Sequence, residues 1–286
     1  MQYMGPIIDS HLHVWDTRIL EYPWLSEIAA LNRPFLITDY REATADLDIE
    51  AMVFMQCEAV PSQALAEAEW VAKLARNEEP RIKTIIPWAP IERGEECASF
   101  LQVIQKIPQV KGVRRLIQSE ADPEFCLQPE FIAGLRILSE YDLSFDICIS
   151  HIQLANSIRM VQSCPEVQFV IDHIAKPDIK NGVRDPWRRE IMELSHLDNV
   201  VCKVSGLVTE ADVQRWTVGD LRPYIEHVIE CFGGDRVMFG GDWPVCTLAA
   251  SYKGWYEALA EILIDYSAEE QRKLFRDNAA RVYRID

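Results

Sequence analysis

The sequence predicts an α/β protein: a single (β/α)8 barrel over residues 1–286, ending in a closing C-terminal helix. Three observations carry that expectation. Eight short, β-rich apolar runs recur along the chain, segments of helical periodicity separate them, and a length of 286 residues is what one complete barrel uses. The runs lie at 7–11, 52–56, 82–88, 112–116, 143–149, 167–171, 200–204 and 237–240. Amphipathic stretches fall between them at 62–76, 96–107, 130–141, 152–163, 220–232 and 252–264. Regular strand–helix alternation builds a parallel sheet, and eight such units predict closure. The tail from Ala268 reads as the closing helix, with 278–283 expected to pack on the outside. No repeat, low-complexity tract or Pro/Gly/Ser linker marks a second domain.

Two connections are longer than the spacing requires, and long connections in a compact domain usually serve function. Residues 14–40 contain Trp15, Tyr22, Pro23, Trp24 and Pro34, a mixture suited either to lid the barrel mouth or to pack on its rim. Residues 175–187 follow the sixth strand.

Composition narrows the partners. Hydrophobic residues make up 49% and charged residues 26%, enough apolar material for a sizeable core. A formal net charge of −16 opposes phosphate backbones and anionic lipid, which argues against nucleic-acid and membrane partners and leaves a small-molecule substrate. The sequence leaves monomer and homo-oligomer open. The start, MQYMGPIIDSHLH, lacks a basic region followed by a long apolar run, and apolar stretches elsewhere are strand-sized. Eight cysteines, none in a C-x-x-C pair, read as reduced core residues and predict a cytoplasmic location.

Polar residues collect where barrel enzymes keep their chemistry, at the carboxyl ends of strands. The first strand ends Asp9-Ser10-His11-Leu12-His13, and residues two apart on a strand face the same side, so both imidazoles can converge on one ion. The fifth strand runs into His151, the sixth into Asp172-His173 and the eighth into Gly241-Asp242-Trp243-Pro244. A lone histidine at a strand end is more often a hydrogen-bonded structural residue. Together, His11, His13, His151, His173 and Asp242 form a nitrogen and oxygen set that suits one divalent ion, zinc or manganese. Glu58, just past the second strand, reads as a further ligand or as a solvent-exposed acid. His196 and His227 lie on helical faces and are expected at the surface or in packing.

Asp9-x-His11-x-His13, Gly112-Val113-Arg114-Arg115, Asp172-His173 and Gly241-Asp242-Trp243-Pro244, in this order across the whole chain, resemble the amidohydrolase-related lactonases. The likeness is greatest to the branch containing L-fuconolactonase and L-rhamnonolactonase and extends more distantly to the pyrone lactonases. It implies that His11, His13, His173 and Asp242 form the active centre of an enzyme opening a small sugar-acid lactone. Non-oxidative decarboxylation of an aromatic or unsaturated acid, performed by relatives with a similar metal site, is the competing expectation. The strand-four position of the bridging lysine in binuclear relatives carries Arg114 and Arg115 instead, so a mononuclear site is implied; the pyrone lactonases leave a metal-free centre open.

Roles then follow from the chemistry of ester hydrolysis. Asp242 is the expected base that activates water, or else only a ligand, with His151 and His173 beside it as catalytic groups. Arg114 would direct a fixed cation at a substrate oxygen, while its neighbour Arg115 faces the helices. Trp15 and Trp243 either stack on a sugar face or pack at the rim. Lys176 either contacts an anionic substrate or is a solvated loop lysine, and Glu58 gains a third reading, orienting a sugar hydroxyl.

Overall fold

The computed structural model describes residues 3–286; Met1 and Gln2, which belong to the expected domain, lie outside the described residues. Eight parallel strands are present: β1 (Ile7–Leu12), β2 (Ile49–Met55), β3 (Ile82–Ile86), β4 (Gly112–Arg114), β5 (Ser144–Ile147), β6 (Phe169–Ile171), β7 (Val200–Val204) and β8 (Val237–Phe239). Ladders join β1 to β3 and β4 to β8 as two arcs. The seams between the arcs close through single bridges. Ile85 pairs with Val110 and Trp88 with Arg114 at one seam, and Leu12 pairs with Trp243 at the other. The result is the (β/α)8 barrel that the alternation predicts.

The helices are α1 (Ile37–Ala43), α2 (Ala64–Asn77), α3 (Ala98–Ile104), α4 (Pro129–Ile137), α5 (Leu154–Gln162), α6 (Trp187–Ser195), α7 (Leu207–Glu210), α8 (Val218–Phe232), α9 (Tyr252–Ile262), α10 (Ala268–Arg272) and α11 (Asn278–Tyr283). Apart from Glu50 and Lys83 the strand residues are buried, and alternate residues divide between two cores. Val200, Cys202 and Val204 of β7 join the large outer core between strands and helices. Val201 joins Ile8, Ala51, Val53, Met55, Ile86, Val170 and Met238 inside the barrel. Lys203, Asp146 and Arg114 follow the same inward parity and are buried.

The tail departs from the expected outside packing. Ala279 and Tyr283 of α11 belong to the inner cluster, and both are 0% exposed. The Tyr283 hydroxyl donates to Asp146 Oδ2 at 2.7 Å, and its carbonyl accepts from Thr84 Oγ1. The helix therefore plugs the barrel floor with an aromatic ring. Inward side chains fill a barrel of this size, and here the C-terminal helix adds to that filling. No helix among the described residues is long and apolar enough to cross a membrane. All eight cysteines are free, and seven are buried.

Candidate metal centre and active site

A bulge in β1 aims the two imidazoles. Asp9 pairs with Met52 and Leu12 with Phe54, so three steps along β1 match two along β2. One extra residue reverses the side-chain parity. Ile8 faces the barrel below the bulge, and His11 and His13 face the site above it. The end of β8 is then locked alongside. Asp242 donates its N–H to the His11 carbonyl at 2.8 Å, and His13 donates to the Trp243 carbonyl at 2.8 Å. Buried Asp9 accepts from Gly241 N at 2.8 Å, Tyr40 Oη at 2.9 Å and Tyr252 Oη at 3.0 Å, tying both strands and two outer elements together.

The donor set converges. His11 Nε2 and His13 Nε2 stand 3.1 Å apart, and Asp242 Oδ1 lies 3.7 and 3.6 Å from them. The opposite ring nitrogens are occupied from behind: His13 Nδ1 donates to the Met55 carbonyl at 2.9 Å, and His11 Nδ1 faces Asp172 Oδ1 at 3.3 Å. A donor on Nδ1 leaves an Nε2 lone pair toward the mouth, the arrangement that orients imidazoles on a metal. Two lone pairs and a carboxylate facing one another repel; Arg114 Nη1, 3.3 Å from His11 Nε2, meets one of them, and a divalent ion would meet all three. The three residues thus fit one divalent ion, and nitrogen and oxygen donors of this kind suit zinc.

Electrostatics agree with that polarity. Burial raises the Asp242 carboxyl, but His173, His13 and His11 outweigh it and hold the group well below its ordinary range. Burial pushes His173 down to about 4 and His11 lower than its usual value, so both rings are neutral near pH 7. His173 Nδ1 lies 2.9 Å from Ser205 Oγ. Gly206 passes so close that a Cβ there would stand 2.5 Å from His173 Nδ1 and 3.1 Å from Asp242 Oδ2.

Below this layer sits a second grouping that the strand-end reading missed. Asp172 Oδ2 accepts from Arg114 Nη1 at 3.1 Å, and Asp172 Oδ1 meets Lys203 Nζ at 3.1 Å. Burial works against ionised Asp172, yet Lys203, His11 and Arg114 keep its carboxyl well below the usual range. The available signal was a lysine and an aspartate of inward parity inside apolar strands, Cys202-Lys203-Val204 and Phe145-Asp146-Ile147.

The other expected residues separate. His151 stands outside both His/Asp groupings, because β5 ends at Ile147 and a further stretch carries the histidine to a 3-10 turn. Its Nδ1 binds the Lys176 carbonyl at 3.0 Å. Glu58 is likewise outside, turned back to accept from Gln56 Nε2 at 2.7 Å. Arg114 does border the mouth, but its Nη2 donates to the Gln56 carbonyl at 2.6 Å and its Nη1 is shared between Asp172 Oδ2 at 3.1 Å and His11 Nε2 at 3.3 Å. Trp243 is buried against Phe35 and Tyr40, with ring centres 5.5 Å apart, which places its indole in the core beneath the rim. Trp15 is also buried, donating to the Arg33 carbonyl, and shows one edge to the cavity. Arg115 faces the helices, on Glu92 and Glu120. His196 is exposed, and His227 packs against Trp187.

A cavity of about 470 Å³ opens over the centre, lined by His13, His173 and Asp242 with Glu27, Glu58, Arg114, Gln118, Ser119, Lys176, Thr209 and Glu210. The 14–40 connection supplies its wall, where Trp15 and Trp24 meet edge to face at 5.6 Å. Glu58, His173, Ile174, Ala175, Lys176 and Asp242 all adopt left-handed φ between 47° and 61° at this mouth. Such backbone costs about 1–3 kcal/mol per residue and collects at functional sites.

A sequence family described as amidohydrolase matches residues 8–285. An L-fucono-1,5-lactonase from Burkholderia multivorans is 32% identical over 300 residues, covering 99% of this chain and 97% of that one. An L-rhamnono-gamma-lactonase from Scheffersomyces stipitis is 24% identical over 98% of both chains. The crystal structure of an amidohydrolase from Burkholderia multivorans with bound zinc superposes with a TM-score of 0.88, at 29% identity over 99% of this chain and 100% of that one.

Proposed function

The chain belongs to the amidohydrolase family, and from that premise we propose that it hydrolyses a small sugar-acid lactone at a single divalent metal centre, with zinc the best-matched ion. The observation that carries the reading is the convergence of His11 Nε2, His13 Nε2 and Asp242 Oδ1 beside the cavity that His13, His173 and Asp242 line. Two curated relatives named as sugar lactonases, and a zinc-bound structural relative, support the substrate class and the ion. The eight free cysteines favour a reducing, cytoplasmic setting.

His11, His13 and Asp242 would hold a divalent ion, which when bound would supply Lewis acidity to the reaction. The protein's own groups do the rest. Asp242, ionised throughout the neutral range, accepts the water's proton and returns it to the departing ring oxygen. Neutral His173, fixed by Ser205, holds the water on that path. Arg114, with its tip committed to Asp172 and Gln56, lends its field to developing negative charge on the carbonyl oxygen. Lys176, Gln118, Ser119, Glu58 and Glu210 offer hydrogen bonds to ring hydroxyls, and Trp15 contributes an aromatic edge. His151 buttresses the Lys176 carbonyl.

The charged groups at the mouth, Glu58, Arg114, Lys176 and Glu210, favour a hydroxylated ring over a bare arene as substrate. A pH-indicator assay over a panel of L- and D-aldonolactones, run beside carbon dioxide detection on aromatic acids, tests the choice. One proton per turnover with no carbon dioxide is expected; carbon dioxide release without activity on any lactone would reverse it.

A further inference from the structure

We propose that Lys203 is a positioning residue of this centre: through Asp172 it fixes the His11 imidazole with Nδ1 inward and Nε2 presented to the mouth. The inference rests on His11 being a metal ligand, as proposed above, and concerns what holds it in that state.

Lys203 is 0% exposed at the middle of the barrel. Its Nζ lies 2.6 Å from Asp146 Oδ2, 3.1 Å from Asp172 Oδ1 and 3.4 Å from Met55 Sδ. Asp146 has a second donor from the floor, the Tyr283 hydroxyl at 2.7 Å. A continuous polar column therefore runs from the C-terminal helix to the site: Tyr283, Asp146, Lys203, Asp172, His11. Two carboxylates face two cations in it, Lys203 and Arg114, so its formal charge is balanced.

Fold stability alone gives weak grounds for such a column, because replacing buried ion pairs by apolar groups of similar volume is often neutral or stabilising. Its geometry at the upper end is specific. Arg114 takes Asp172 Oδ2, and Lys203 pins Oδ1, the oxygen that faces His11 Nδ1 at 3.3 Å. Neither contact on Asp172 Oδ1 is a hydrogen bond by geometry; Lys203 holds this oxygen as an ion pair at 3.1 Å, and with His11 neutral it is the full charge nearest to it. Without Lys203 the carboxylate is free to swing toward Arg114. His11 Nδ1 would then lose its acceptor, and the ring could carry its proton on Nε2, where it blocks ligation.

Two substitutions separate positioning from charge balance. Lys203→Met leaves Asp146 and Asp172 short of a cation and is expected to lower both stability and zinc affinity. Asp146→Asn/Lys203→Met removes one charge of each sign and restores balance, with Tyr283 still able to donate to the new amide. Zinc affinity is read by competition with a chromogenic chelator, Tm on the metal-free protein, and the His11 tautomer from imidazole 15N shifts of the metal-free protein. Positioning predicts that the double variant regains most of its Tm while zinc binds about 10- to 100-fold more weakly and His11 shows mixed tautomers. A double variant with wild-type zinc affinity and an unchanged tautomer, or one that no longer folds, would overturn the proposal. Wild-type protein that takes up no zinc would undo the proposed metal centre, and the tautomer readout would still judge Lys203 by itself.

Discussion

Asp242 and Gly206 show how closely the mouth is built at single positions. Asp242 is held in a left-handed conformation, φ 53°, by its N–H bond to the His11 carbonyl, which points its carboxylate at both imidazoles. Asp242→Asn keeps the shape but cannot take a proton at neutral pH and is the weaker ligand. A loss of kcat on the order of 10² or more is expected, the usual scale for a positioned base; steady-state kinetics on a variant of normal fold check it, and near wild-type kcat would remove Asp242 from the proton path. Gly206 tests packing rather than chemistry. Its φ of 67° disfavours any side chain, and a Cβ would stand 2.5 Å from His173 Nδ1. Gly206→Ala must push His173 off Ser205, and a displacement near 1 Å in an active site can cost about 10²-fold. The expected loss is in kcat/KM for the lactone; an unaffected value would mean that His173 is not needed in its present place.

At the scale of elements, α2 carries a buried acid whose titration should be visible in stability. Glu67 accepts from the Cys57 N–H at 3.2 and 3.3 Å, beneath the loop that turns Glu58 into the cavity wall. Burial pushes its carboxyl up to about 8 from an ordinary 4.5. The folded protein then keeps a proton that the unfolded chain releases above pH 4.5. Stability from this group is full below that pH and is lost as pH rises toward 8, by about 1.4 kcal/mol per unit. Glu67→Gln has no proton to lose, so its stability relative to wild type should improve steadily between pH 5 and pH 8 in denaturant titrations. A pH-independent difference would show that Glu67 is ionised in the fold. The elements themselves were readable in the sequence because strands buried on both faces are near-continuous apolar runs. What escaped was information held in partners. The bulge that aims His11 and His13 exists only as register between β1 and β2. The inward packing of α11 depends on Thr84 and Asp146 in distant strands, and the function of Lys203 depends on Asp146 and Asp172 two and one strands away. His151 looked like a ligand because a histidine close after a strand is indistinguishable in sequence from one at its end.

For the molecule as a whole, one of the two seams in the barrel and the candidate metal centre coincide. β1 and β8 form no continuous ladder; they are joined by the Leu12–Trp243 bridge and the backbone bonds around Asp242. His11 and His13 lie on one side of that seam and Asp242 on the other. An ion bound by all three would staple the barrel shut, so binding and global stability should be linked. A ligand that binds only the folded state stabilises by about 2.7 kcal/mol at 100 times its Kd. In a domain of this size each kcal/mol moves Tm by roughly 2–4 °C, so saturating zinc is expected to raise Tm by about 5–10 °C over chelator-treated protein. The eight free cysteines can bind zinc in the unfolded chain, which makes that range an upper one. Asp242→Asn removes the ligand on the β8 side and should cancel most of the zinc-dependent rise while leaving the chelator-treated Tm within a few degrees of wild type. Calorimetry of both proteins with and without zinc measures this directly. Equal zinc responses in the two would place the ion away from the seam and separate barrel closure from the chemistry at its mouth.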